Sequence, residues 1–104
     1  MSQELRNEGT NTSCLFALFR KHVKSGNLKR FKNLLKVHQV LPAEIRTASN
    51  TTLLHIAAMY NQEKMAIFLM EHGLSMHEQN DRSHCPHYLA VLRNSWRVLR
   101  CMER

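Results

Sequence analysis

Three turn residues, Gly26, Asn61 and Asn94, recur at nearly equal intervals, and each divides two short sets of apolar residues held at helical spacing. Before Gly26 stand Phe16, Phe19 and Val23; after it come Leu28, Phe31, Leu34 and Leu35. Leu54, Ala57 and Ala58 precede Asn61, and Met65, Phe68 and Leu69 follow it. Around Asn94 the sets are Leu89 with Val91-Leu92, then Val98, Leu99 and Met102. Glycine enters the left-handed backbone region without steric cost, and asparagine enters it more readily than other side chains do. One backbone event, the turn inside a helix pair, is therefore predicted three times. Asn27 is suited to cap the helix after the first turn. A period of about 33 residues marks a repeat architecture, in which stacked units bury together what none buries alone.

The middle unit carries the most specific residues: Thr52-Leu53-Leu54-His55-Ile56-Ala57-Ala58, continued by Glu71-His72-Gly73. Advancing one period from Thr52 reaches Cys85-Pro86-His87-Tyr88-Leu89-Ala90-Val91, which keeps a proline and a Leu-Ala pair. Pro86 fits the first position of a helix, where its missing N–H is not needed. The first unit retains Ser25-Gly26-Asn27-Leu28 and Leu34-Leu35. On these residues the chain resembles the ankyrin-repeat family, whose signature reads T-P-L-H-x-A-A.

The resemblance implies an all-α solenoid of helix-turn-helix units joined by β-hairpin-like loops. Its three units would be about 13–46, 47–79 and 80–104, the outer two acting as caps, after a flexible polar tail at 1–12. The loops map to 47–51 and 79–84, where Asn50 and Ser83 replace the family's usual glycine. The resemblance also implies that Thr52 and His55 hydrogen-bond within and between repeats. Cys85 and Tyr88 occupy the matching places in the third unit, which predicts a weaker network and a looser C-terminal unit.

The chain has 104 residues, 43% apolar and 22% charged, which suits one modest domain. Its net charge of +7 is concentrated at the ends. From Gly9 to Ala43 lie Arg20, Lys21, Lys24, Lys29, Arg30, Lys32 and Lys36 with no acid, and Arg93, Arg97, Arg100 and Arg104 follow near the C-terminus. Such polarity favours a protein partner with an acidic surface, and nucleic acid is the other candidate. No run reaches the ~20 apolar residues of a membrane span. Glu4 and Glu8 fit neither a signal nor a transit peptide, and Cys14, Cys85 and Cys101 cannot all pair, so a cytoplasmic or nuclear setting is expected.

Met59 and Tyr60 end the first helix of the middle unit, where ankyrin proteins vary residues to contact partners; Leu92 and Arg93 match them in the third. With the loop residues Ser49, Thr51, Asp81, Arg82 and His84 they form the expected contact strip of an adaptor, regulatory subunit or inhibitor. The alternative is a basic patch, Lys29, Arg30, Lys32 and Lys36, touching nucleic acid or an acidic surface. Its simpler reading is the solvated side of an amphipathic helix.

His72, His77, His84, Cys85 and His87 are zinc-type ligands, but the repeat register spreads them over a helix end, a loop and the next helix start. No phosphate loop, carboxylate pair or nucleophile elbow is present, so neither an enzyme nor a bound metal or cofactor is expected. In the last helix Val98, Leu99 and Met102 are expected to pack inward while Arg97, Arg100 and Arg104 supply a polar face. If that face is insufficient, a homodimer or larger complex would cover it.

Overall fold

The computed structural model describes residues 16–103. The expected tail at 1–12, the start of the first unit, Cys14 and Arg104 lie outside them. The described residues are all-helical, with α1 (16–25), α2 (Leu28–His38), α3 (Leu53–Met59), α4 (Glu63–Glu71), α5 (Pro86–Leu92) and α6 (Trp96–Met102), and a short 3-10 turn at Pro42–Glu44. They form three antiparallel pairs, α1 with α2, α3 with α4 and α5 with α6.

Backbone sterics account for the punctuation. Gly26 (φ 75°), Asn61 (φ 56°) and Asn94 (φ 60°) all adopt the left-handed conformation at the turn inside a pair, as their spacing predicts. Asn27 caps α2 as expected, its side-chain oxygen accepting from the Arg30 N–H at 3.2 Å. A second left-handed set, Gln39 (φ 53°) and Gly73 (φ 100°), ends the second helix of the first two pairs. A third, Asn50 and Ser83, both at φ 65°, sits in the loops between pairs. There Thr47 N–H donates to the Thr51 carbonyl and Asn80 N–H to the His84 carbonyl, each at 3.0 Å. The loops are hairpin-like without strands among the described residues; one antiparallel bridge, Arg46 with Thr52, is all the ladder they carry.

The core follows the stacking. Every residue of α3 from Leu53 to Ala58 is buried, because the middle pair is covered on both sides. Each large aliphatic side chain buried in this way contributes about 1.5–3 kcal/mol. Phe19 and Phe31 meet edge to face at 5.3 Å between centroids, and Phe31 meets Phe68 at 5.9 Å, an aromatic seam running from the first pair into the second. Val98 and Met102 pack inward as expected, with Leu99 half-buried. Val91 and Leu92 differ from the other helical apolar sets: they are exposed, because no described residue covers that side of α5.

Candidate functional site

The loop tips owe their shape to side-chain oxygens. Thr47 Oγ1 accepts from the N–H groups of Ser49 (3.2 Å) and Thr51 (3.1 Å). In the next loop Asn80 Oδ1 accepts from the N–H groups of Arg82 (2.9 Å) and His84 (3.1 Å). Thr47 and Asn80 hold the same place in successive units, so one local bonding pattern recurs with a different residue type.

The two loops are also bonded to each other. Asp81 N–H donates to the Ser49 carbonyl at 2.8 Å, and Asn80 Nδ2 donates to Thr51 Oγ1 at 3.2 Å. Arg46 forms an ion pair with Glu78 and donates twice to the Ala43 carbonyl, pinning the bases of the loops.

Beneath them lies His55, fully buried. Its Nδ1 accepts from the Thr52 N–H at 3.0 Å and lies 2.8 Å from Thr52 Oγ1, which places the ring proton on Nε2. Nε2 donates to the carbonyl of His84 at 2.9 Å. Burial holds the imidazole below its ordinary pKa of 6.5, more than the His84 bond and Glu78 raise it. With both nitrogens engaged, His55 has a structural role rather than that of a general base. In the third pair Cys85 Sγ accepts from Tyr88 N–H at 3.4 Å, and the phenol in the histidine's place carries no ring nitrogen.

A second tie runs through the α3–α4 turn. Asn61 Oδ1 accepts from the N–H groups of Arg97 (3.1 Å) and Val98 (3.3 Å), capping α6 from the neighbouring pair. Gln62 Nε2 donates to the Lys24 carbonyl at the end of α1, at 2.8 Å. The middle turn therefore grips both neighbours.

This framework encloses a groove of about 340 Å³ lined by Ser49, Thr51, Met59, Asn80, Arg82, His84 and Leu89. Five expected contact residues meet there: Ser49, Thr51, Met59, Arg82 and His84. Asp81 instead faces Asn50, whose Nδ2 donates to its carboxylate at 3.4 Å. Tyr60 lies beneath the Lys24 ammonium, 5.3 Å from the ring centroid, and Leu92 and Arg93 stand exposed at the end of α5. Sequence reasoning missed Asn80 and Leu89; the repeat register with Thr47 would have marked Asn80 as a loop-shaping residue. The groove offers an apolar floor of Met59 and Leu89, hydroxyl and amide groups on its walls, and one cation, Arg82.

The four residues of the alternative patch, Lys29, Arg30, Lys32 and Lys36, are all exposed on α2, and Lys32 lies over the Phe68 ring at 5.2 Å. The zinc-type residues do not converge. His72 Nδ1 donates to the Phe68 carbonyl, His84 lies against Tyr88, and His77 and His87 stand 6.3 Å apart between ring centroids. Among the described residues no three His, Cys, Asp or Glu side chains gather.

The fold and groove define a class: an all-α protein of stacked helix pairs, in which no described helix is long and apolar enough to cross a membrane. No family model matches the sequence, and no curated protein does. Among solved structures it is similar to a chain in the complex of the Bd0816 predatory endopeptidase of Bdellovibrio bacteriovorus with immunity protein Bd3460. The TM-score is 0.71 at 19% identity, over 82% of this chain and 44% of that one. At that identity the likeness is one of fold, and this chain spans less than half the length of the chain it matches.

Proposed function

We propose that this chain is an ankyrin-type interaction module, an adaptor, regulatory subunit or inhibitor in the cytoplasm or nucleus, that holds a protein partner in the groove between its second and third units. It performs no catalysis itself. One observation carries the reading: two loops bonded to each other hold Ser49, Thr51, Arg82 and His84 around an apolar floor. Hydrogen-bond donors and acceptors fixed in advance lower the ordering cost of binding, and the floor supplies the desolvated centre on which an anchor residue depends. The basic charge of the chain and Arg82 at the groove favour an acidic side chain beside that anchor. The solved neighbour, itself in a protein–protein complex, is compatible with this reading.

Peptide display against the full chain tests it. Enriched peptides should pair an apolar residue with an acidic one, and their binding should fall with Met59→Ala and Arg82→Glu but persist with Lys32→Glu. Absence of any enriched peptide whose binding falls with a groove variant would contradict it.

The second reading, nucleic acid on α2, is favoured by one observation: residues 16–43 carry seven Lys and Arg, all exposed, and no acid. A labelled duplex or single strand should then bind with steep salt dependence and lose affinity with Lys29→Glu and Lys32→Glu.

A further inference from the structure

In the repeat register, Tyr88, Val91, Trp96 and Leu99 stand where the middle unit has His55, Ala58, Glu63 and Ala66. His55, Ala58 and Ala66 are fully buried, and Glu63 reaches Arg100 of the next pair at 4.0 Å. These positions therefore define the side of a unit that its successor covers. In the third unit that side is open among the described residues: Tyr88 is 46%, Val91 55% and Trp96 54% exposed, with Leu92 beside them at 60%. Of the eight exposed large apolar side chains among the described residues, four fall in this stretch, 88–96, so the exposure is a patch rather than scatter.

Its rim is cationic. Arg97 and Arg100 hold their guanidinium groups over the Trp96 ring, 5.3 and 5.1 Å from its centroid, and Arg93 is exposed at the end of α5. A guanidinium stacked on a ring keeps its edge N–H groups for a carboxylate.

We infer that this face of α5 and α6 docks an acidic amphipathic helix of a partner protein, at a surface separate from the groove. The three arginines at its rim, Arg93, Arg97 and Arg100, select the occupant by charge, as a surface that brings carboxylates. A second copy, docked isologously, would set Arg93, Arg97 and Arg100 against their own counterparts. A strand partner gains nothing, since two helices present no row of free backbone groups. A helix brings a satisfied backbone, apolar anchors at i, i+3 and i+4 for Tyr88, Val91 and Trp96, and flanking carboxylates for the arginines.

Trp96 is the one tryptophan of the chain, so its fluorescence reads this face directly. The probe is a display library of helical peptides with a fixed leucine stripe and flanks randomised among Glu, Lys and Gln, selected against the full chain. Glutamate flanks should be enriched, and the enriched peptide should shift Trp96 emission to the blue. Its affinity should fall about tenfold or more in the Arg93→Glu/Arg97→Glu variant, which leaves Arg100 beside Glu63, and in Val91→Asp. Both variants alter exposed side chains, and unchanged far-UV circular dichroism verifies that they fold. Arg82→Glu should leave this binding intact, which separates it from the groove. No enrichment, equal enrichment of lysine flanks, or indifference to both variants would overturn the proposal. So would a concentration-dependent blue shift with dimer formation in the absence of peptide.

Discussion

His55 Nε2 donates to the carbonyl oxygen of His84 across 2.9 Å, so one imidazole inside the middle unit holds the loop that opens the third. Its other nitrogen accepts from Thr52 N–H, and the ring can satisfy both partners only while neutral.

Stability should therefore depend on pH. The folded pKa of His55 lies below 6.5, chiefly through burial. Above pH 6.5 both states are neutral at this residue and its contribution is complete. As pH falls below 6.5 the unfolded chain takes up a proton that the folded chain refuses, and stability drops by up to about 1.4 kcal/mol per pH unit until the folded pKa is passed. Urea midpoints from pH 7.5 to 5, in wild type and His55→Gln, check this: the variant should be less stable at pH 7.5 and show a shallower slope.

Asn61 has two separable duties, a left-handed backbone and the cap on α6. Asn61→Gly keeps the first and loses the second, costing about 1 kcal/mol; Asn61→Ala loses both and should cost about 2 kcal/mol or more. Chemical denaturation of the two variants should show that order.

A Cβ at Gly26 would clash with Oε1 of Gln62, the side chain that holds the Lys24 carbonyl. Gly26→Ala should be destabilising by about 1–2 kcal/mol from its positive φ alone, with a further loss as Gln62 is displaced. In a Gln62→Ala background only the backbone part should remain, a coupling that a double-mutant cycle measures.

The Arg46–Glu78 pair is half-exposed on both sides, and Arg46 keeps the Ala43 carbonyl when its partner is gone. Glu78→Gln should cost no more than about 1 kcal/mol, and the difference from wild type should shrink in high salt.

The periodic part of this architecture is legible in the sequence because it rests on backbone sterics. Gly26, Asn61, Asn94, Asn50 and Ser83 are residue types that tolerate or shape a turn, and each has positive φ. Gln39 also has positive φ, and nothing in its side chain signals that; the end of α2 imposes it. The cap from Asn61 to α6 joins residues far apart in the chain and is invisible without the stacked geometry. Helical spacing placed Val91 and Leu92 with Leu89, yet only Leu89 is buried, because spacing identifies an apolar set and not the side that a neighbour covers. The groove was half legible for the same reason. Its loop residues follow from the repeat register, whereas Leu89 reads as core until the loops above it are in place.

The most direct measurement is a two-dimensional NMR titration of the full chain with a display-selected acidic peptide whose binding is lost in Arg82→Glu. Binding as proposed would shift the amides of Ser49, Thr51, Met59, Asn80, Arg82, His84 and Leu89 while leaving α2 unchanged. Shifts confined to Lys29, Arg30, Lys32 and Lys36 would contradict the groove as the partner site.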